Sequence, residues 1–156
     1  MISNRSLIAF ISTNLIVLAI FGCNNLSEKE IEFRQSFESG KAVYNTRCAN
    51  CHKPDGEGMG ALYPPIANSD YLRSHSQQLP CIIYSGVKGP MMVNGAKYDW
   101  EMPASKTMDE IEMSAILTYV QSRWGDKKIS VSYEEARKDI NECLSGVRNK
   151  ESGVRR

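Results

Sequence analysis

Apolar residues repeat at helical spacing in two stretches of the chain. The first set lies at i, i+4, i+7 and i+11 and predicts a helix that leads up to Cys48: Phe33, Phe37, Gly40 and Tyr44. The second set lies at i, i+3, i+4, i+7 and i+11 and predicts a helix over residues 109–124: Met113, Ile116, Leu117, Val120 and Trp124. Both ends of the folded region are therefore expected to be helical.

The middle of the chain has the composition of loops. Gly and Pro cluster between Gly56 and Pro103, which predicts a loop-rich region that wraps around something. Short helical pieces are expected near residues 69–73 and 77–85, and Gly86 would end the second piece. Two further turns are expected in this region: Gly89-Pro90 and Asn94-Gly95.

Terminal signals mark the helices of the C-terminal third. Two candidate pairs would cap the start of the helix over residues 109–124: Thr107 with Glu110, and Asp109 with Glu112. Ser132 pairs with Glu135 in a capping-box pattern and predicts a last helix that runs towards Leu144. Residues 146–156 are expected to form a frayed tail.

The N-terminal segment has the pattern of a secretory signal. One positive charge, Arg5, precedes an apolar run that is too short for an ordinary transmembrane helix. Ile20-Phe21-Gly22-Cys23 resembles the lipobox of bacterial lipoproteins, which implies that residues 1–22 are removed and that Cys23 is acylated, with residues 23–35 as a tether. Ordinary cleavage nearby and an uncleaved anchor stay open. All three alternatives place the following domain outside the cytoplasm.

Charge and composition narrow the functional class. The chain is 42% hydrophobic and 24% charged, which is typical of one compact globular domain. Its formal net charge is +1, and no stretch concentrates Lys and Arg, so a nucleic-acid partner is excluded. Removal of residues 1–22 would take away Arg5 and leave no net charge, so local patches would have to steer any protein partner.

Two of the five cysteines belong to a motif with a known chemistry. Cys48-Ala49-Asn50-Cys51-His52 has the spacing of c-type haem attachment, in which two thiols add across the haem vinyl groups and the following His reaches the iron. A thioredoxin-like pair would need a β-α-β context, whereas the preceding residues predict helix. A structural zinc site would need a second ligand pair, and the only other histidine is His75. The motif therefore predicts one covalent haem c, with His52 on its iron.

Further motifs, in the same order, resemble those of class I c-type cytochromes: Gly40 and Tyr44 before the haem motif, Tyr63-Pro64-Pro65-Ile66, Val93-Asn94-Gly95 with Tyr98, Met102-Pro103-Ala104, and Leu117-Thr118-Tyr119-Val120 before Trp124-Gly125. The sequence is similar to small cytochrome domains of bacterial lipoproteins and to those attached to copper nitrite reductases and quinoprotein dehydrogenases. The resemblance implies an all-α fold, with cytochrome c-like helices packed around one covalently bound haem, over residues 36–145. It also implies that Gly40 lies where the two long helices cross.

The same resemblance implies two interactions of the iron ligands. A proline carbonyl would accept the ring N–H of His52; Pro64 fits the family position better, and Pro65 stays open. Met102 matches the family's Met-Pro ligand, and Pro103 restrains its backbone and stiffens the loop. A thioether opposite His raises the haem potential.

Other residues compete for the sixth iron position or lie near it. His75 and Met92 are the alternatives to Met102, because a thioether or an imidazole can bind iron. Met91 and Met92 are otherwise expected in the haem pocket or its lid. Tyr98 and Trp100 flank the ligand and would shield the haem or bond a propionate. Met59 is expected to be unable to reach the iron, and Met108 and Met113 are expected to pack in the core.

Cys81 and Cys143 remain once the other cysteines have roles. They either form a disulfide that ties the last helix to the middle of the domain, or stay as two separately buried thiols. Both alternatives are open from the sequence.

An iron ligated by His52 and Met102 has no free coordination position, so single-electron transfer is the expected chemistry. No arrangement of residues suggests a second catalytic site. We expect a membrane-tethered periplasmic carrier between a donor dehydrogenase or reductase and an acceptor oxidase or cytochrome. The alternatives are a gas sensor or peroxidase-like enzyme with a displaceable Met, and a dedicated subunit of a dehydrogenase or reductase complex.

Overall fold

The computed structural model describes residues 27–126 and 128–146, and it is mostly helical, which confirms the all-α prediction. Cys23, the signal segment and residues 147–156 of the predicted tail lie outside the described residues. The helices are α1 (Glu28–Arg47), α2 (Ala49–His52), α3 (Asp70–Ser74), a 3₁₀ turn (Ser76–Gln78), α4 (Leu79–Ser85), α5 (Glu110–Trp124) and α6 (Tyr133–Ser145). Among these described helices, none combines the length and apolar character needed to cross a bilayer.

Helices α1 and α5 meet at Gly40. A side-chain carbon at Gly40 would collide with the carbonyl oxygen of Ala115 and would lie 2.7 Å from the β-carbon of Tyr119. Only glycine therefore allows the two backbones to approach this closely. Helix α5 begins where Asp109 accepts hydrogen bonds from the backbone N–H groups of Ile111 (3.0 Å) and Glu112 (2.8 Å), so the second of the two predicted capping pairs marks its start.

The core lies along the buried face of α5. Four residues of the predicted stripe are buried, with Met113, Ile116 and Leu117 at most 1% exposed, and Trp124 at its end is partly buried. Full burial of such a side chain stabilises the fold by about 1.5–3 kcal/mol. Tyr44 of α1 is completely buried against this face, with its ring centroid 5.5 Å from that of Tyr119 and 4.9 Å from that of Trp124. The two predicted helices thus form one core.

Helix α6 is fastened to the rest of the domain in two ways. The capping box predicted at Ser132 is present, since Ser132 accepts from the N–H of Glu135 and the Glu135 carboxylate accepts from the N–H of Ser132. A disulfide joins Cys143 to Cys81 of α4, with 5.3 Å between the two Cα atoms. The structure thus decides between the two alternatives for these cysteines in favour of the bond.

A β-hairpin interrupts the helical architecture, and the sequence predicted only its turn. Strands β1 (Met91–Val93) and β2 (Ala96–Tyr98) pair antiparallel around Asn94 and Gly95, both of which have positive φ, as a two-residue hairpin turn requires. Strands of three residues are too short to show an alternating pattern in the sequence. The hairpin tip is fixed to α3 by reciprocal bonds, because the N–H of each of Asp70 and Asn94 donates to the other's side chain (3.0 and 2.7 Å).

Candidate haem-binding site

A mainly apolar cavity contains every predicted haem residue within the described chain. Cys48, Cys51, His52, Pro64 and Met102 all line it. Its remaining wall comes mostly from apolar side chains of α3, α4, α5 and β1, and these include Leu72, Leu79, Ile82, Ile83, Val93, Ile116 and Val120. The folded chain therefore gathers groups that are up to 54 positions apart in the sequence.

The two thiols are placed by a change of direction after α1. Cys48 follows the last residue of α1, and the single turn α2 then carries Cys51 and His52. Residues three apart lie on the same side of such a turn, so both thiols border the same cavity. Neither is in a disulfide. Burial raises the pKa of the Cys48 thiol to about 11, against a smaller lowering effect of Arg47, so the thiol is protonated at neutral pH.

His52 is held in one orientation by the loop that follows it. Its Nδ1 lies 3.0 Å from the carbonyl oxygen of Pro64. A carbonyl can only accept, so Nδ1 carries the proton and Nε2 keeps a lone pair that is available to a metal. Burial lowers the pKa of His52, and the bond to Pro64 opposes this shift, so the ring is neutral at pH 7. The structure also selects Pro64 over Pro65 as the hydrogen-bond partner.

Met102 lies in the loop between β2 and α5. Met102 lines the cavity, and its backbone pairs with that of Val87 through two hydrogen bonds of 3.0 Å. The two residues that the sequence offered as alternatives to Met102 differ in their positions. His75 lines the cavity, whereas Met92 is 56% exposed and does not. Successive strand residues point to opposite sides, so Met91 rather than Met92 faces the cavity.

The residues expected to flank Met102 have different positions. Tyr98 is buried in the hairpin and does not line the cavity, whereas Trp100 is 61% exposed at its mouth, with its ring centroid 6.2 Å from that of Tyr63. Met59, expected to be unable to reach the iron, is absent from the cavity wall. Met108 and Met113 are buried in the core, as expected.

Two further contacts at the cavity were not anticipated. Arg47 lines it, and its Nη2 donates to both carboxylate oxygens of Glu112 of α5 (2.9 and 2.8 Å), which links the end of α1 to the start of α5. The rings of Tyr71 and His75 are stacked, with centroids 3.9 Å apart, and both line the cavity. Arg47 is separated from Glu112 by 65 positions, so no local pattern could have indicated the pair.

The donor set fits a haem better than a bare metal ion. Within residues 27–126 and 128–146, no group of three or more His, Cys, Asp or Glu side chains is arranged to hold a metal. The cavity instead offers two free thiols three residues apart, a neutral oriented imidazole and a thioether, inside an apolar wall. These groups match covalent attachment of one haem, with the imidazole and thioether as potential iron ligands.

Comparison with known proteins agrees with this chemistry. The family model "Cytochrome c" matches residues 37–124, more than half of the chain. Cytochrome c-552 of Thermus thermophilus is 29% identical over 93 residues, which cover 57% of this chain and 70% of that protein. The cytochrome c subunit of the quinone alcohol dehydrogenase of Gluconacetobacter polyoxogenes is 28% identical over 91 residues. That match covers 56% of this chain but only 19% of the subunit.

The family match begins in α1, includes the haem motif and Met102, and ends at the last residue of α5. It therefore contains every predicted haem residue and leaves α6 outside. The chain accordingly belongs to the cytochrome c family, is a class I c-type cytochrome that binds covalent haem c, and has an electron-transfer domain.

Proposed function

We propose that this chain carries single electrons between extracytoplasmic redox proteins through a haem whose iron is ligated by His52 and Met102. The observation that carries the proposal is the hydrogen bond from Nδ1 of His52 to the Pro64 carbonyl, in a cavity that Met102 also lines. That bond leaves Nε2 as the free nitrogen of the ring. The haem, once bound, supplies the one-electron redox centre.

The cavity residues would keep the centre dry and its geometry constant. Ile82, Ile83, Ile116 and Val120 exclude water from the wall, and an apolar surrounding is one of the ways in which proteins set a haem potential. His52 and Met102 would both bind the iron, which would leave a substrate no place on it. This favours electron carriage over catalysis.

The proposal includes a membrane tether at Cys23. It is supported by the lipobox-like sequence Ile20-Phe21-Gly22-Cys23, which follows a short apolar run. Acyl chains bind a membrane with about 0.8 kcal/mol per buried CH₂, and more than one chain is needed for stable anchoring. Residues 23–35, of which 28–35 form the first part of α1, would then connect the anchor to the cytochrome domain in the periplasm.

A second candidate function is that of a dedicated electron-transfer subunit in a larger oxidoreductase. It is favoured by the relatives of 28–29% identity that are named as cytochrome c subunits of quinone alcohol dehydrogenases. Isolation from membranes in mild detergent, followed by identification of the proteins that copurify and a redox titration, distinguishes the two. A stoichiometric dehydrogenase or reductase partner would favour the subunit, whereas a chain that purifies alone would favour the mobile carrier.

Carbon monoxide binding tests the carrier against a sensor or peroxidase. Because His52 and Met102 would both bind the iron in this proposal, the reduced wild type should bind carbon monoxide poorly at neutral pH and show negligible peroxidase turnover. Rapid binding by the wild type would instead support a gas sensor or a peroxidase-like enzyme. Carbon monoxide binding is measured by mixing the reduced protein with the gas and following the absorption spectrum.

A further inference from the structure

The loop that carries Met102 is attached to the C-terminal end of α4. Met102 N–H donates to the Val87 carbonyl and Val87 N–H donates to the Met102 carbonyl, each over 3.0 Å. Ser105 N–H donates to the Ile83 carbonyl over 3.1 Å. Three backbone hydrogen bonds therefore connect this loop to residues in and directly after α4.

Gly86 allows the same approach sterically. Its φ is +70°, and a β-carbon there would collide with the Met102 carbonyl oxygen. The same carbon would lie 2.8 Å from the Ala104 nitrogen and 3.0 Å from the Pro103 carbonyl carbon. Any larger residue would push the Met102 loop away from α4. The position of Met102 thus depends on where this end of α4 lies.

Helix α4 depends on its tertiary contacts to stay in that position. It has seven residues, well below the length at which isolated helices are stable in water. Leu79 and Ile83 pack in the core, and the covalent attachment of the helix is Cys81, which is 4% exposed and is bonded to Cys143 of α6, itself 2% exposed. Helix α6 packs against both α4 and α5 and lies beyond the residues that match the cytochrome c family. The link is therefore an addition to the matched domain.

We propose that the Cys81–Cys143 disulfide positions Met102 for its role as iron ligand. The bond fixes α4 to α6, and α4 then holds the Val87 and Ile83 carbonyls to which the Met102 loop is bonded. Cys81 and Cys143 are positioning residues, because neither lines the cavity. The inference rests on the proposed His52 and Met102 ligation. In it, α6 stabilises the bond between the Met102 thioether and the iron.

The test compares the holoprotein with its Cys81→Ala/Cys143→Ala variant. The variant should bind carbon monoxide about tenfold faster in the reduced state and lose the sulfur–iron absorption band at a lower pH when oxidised. Ser132→Ala is the matched control, because it removes the cap of α6 but leaves the disulfide. It should lower the unfolding free energy without changing the carbon monoxide binding rate or the pH at which the sulfur–iron band is lost. Equal carbon monoxide rates and band titrations in the double variant and the wild type would overturn the proposal.

A measurement on the wild type keeps the idea testable if the double variant does not fold. The amide protons of Val87 and Met102 should exchange with solvent within about threefold of the slowest amides of α4, because the loop and the helix would open as one unit. Exchange of these two amides more than about tenfold faster would reject the proposal. A wild type that lacks the sulfur–iron band but keeps this shared protection would instead refute the ligation by Met102.

Two glycine variants test the step from α4 to Met102. Gly86→Ala should weaken the sulfur–iron band, because the added carbon meets the Met102 backbone. Gly89→Ala is the control: Gly89 has φ +85°, but no atom lies within 4 Å of the added carbon. An unchanged band in Gly86→Ala, or an equal loss in both variants, would count against α4 as the support of Met102.

Discussion

The Nδ1 atom of His52 lies 3.0 Å from the carbonyl oxygen of Pro64, and Gly58 allows the loop between them to close. Gly58 has φ +73°, and its N–H donates to the His52 carbonyl over 2.9 Å. A β-carbon there would collide with the Tyr63 carbonyl and lie 2.8 Å from the Pro64 oxygen. The orientation of the proximal imidazole therefore depends on a glycine six positions further along the chain.

Replacement of Gly58 should change the haem potential through this hydrogen bond. In Gly58→Ala the Pro64 carbonyl must move, and a weaker bond makes the imidazole a poorer electron donor to oxidised iron. Loss of a bond of about 0.5–1.5 kcal/mol corresponds to a rise of about 20–60 mV. Spectroelectrochemical titration at pH 7 measures it. Gly60→Ala, at φ +54° with no atom near the added carbon, should leave the potential unchanged; equal shifts in both variants would contradict the mechanism.

Tyr44 should make the protein sensitive to alkaline pH. Burial raises the pKa of Tyr44 above its ordinary value of 10, and its hydroxyl donates to the Lys53 carbonyl over 2.8 Å. Above pH 10 the unfolded chain releases this proton while the folded chain keeps it, so stability falls as the pH rises, by up to about 1.4 kcal/mol per pH unit. The stabilising contribution is fully present below pH 10.

The variant Tyr44→Phe isolates that contribution. It should lose about 0.5–1.5 kcal/mol at pH 7, because the Lys53 carbonyl loses its donor, and its stability should fall less steeply between pH 10 and 11. Urea unfolding at a series of pH values gives both quantities. Tyr63→Phe, at the half-buried cavity mouth, is the control; an alkaline slope that is identical in Tyr44→Phe and the wild type would reject the role of Tyr44.

Met102→Ala should open the iron. The variant is expected to lose the sulfur–iron absorption band, to have a lower reduction potential, and to gain carbon monoxide binding and some peroxidase turnover, because the thioether no longer fills the sixth position. Met91→Ala and Met92→Ala should keep the band. Met91 is the stricter control, since it lines the same cavity; loss of the band in Met91→Ala alone would transfer the ligand assignment to it.

Covalent attachment predicts that the haem resists extraction. Acid–acetone treatment of the wild type should leave the colour with the protein, because thioether bonds to Cys48 and Cys51 survive conditions that break iron–ligand bonds. A variant with both Cys48→Ala and Cys51→Ala should lose its colour to the solvent. Extraction of the wild-type haem would show that these thiols do not form the expected bonds.

The anchor can be tested separately from the haem. Wild-type protein from bacterial membranes should partition into the detergent phase, and Cys23→Ala should move to the aqueous phase because it lacks the acylated residue. The haem absorption of both proteins should be the same, which serves as the internal control for folding. Unchanged partitioning of the variant would refute lipidation at Cys23.

Local patterns in the sequence determined the two long helices and the attachment chemistry. The stripe from Met113 to Trp124 and the spacing of Cys48, Cys51 and His52 depend on residues within a few positions of one another. Helical periodicity and thioether geometry act over the same short range. The N-cap of α5 at Asp109 and the capping box of α6 at Ser132 could be identified for the same reason, since a cap satisfies backbone groups two or three residues away.

Tertiary structure decided the matters that depend on distant partners. Pro64 and Pro65 are the same residue type in adjacent positions, and only the path of the loop places the carbonyl of Pro64 against His52. Met91 rather than Met92 faces the cavity because the hairpin fixes which side of the strand turns inward. Cys81 and Cys143, 62 positions apart, are bonded because α6 packs on α4. These choices rest on through-space packing and hydrogen bonds between segments, which no local pattern of residues encodes.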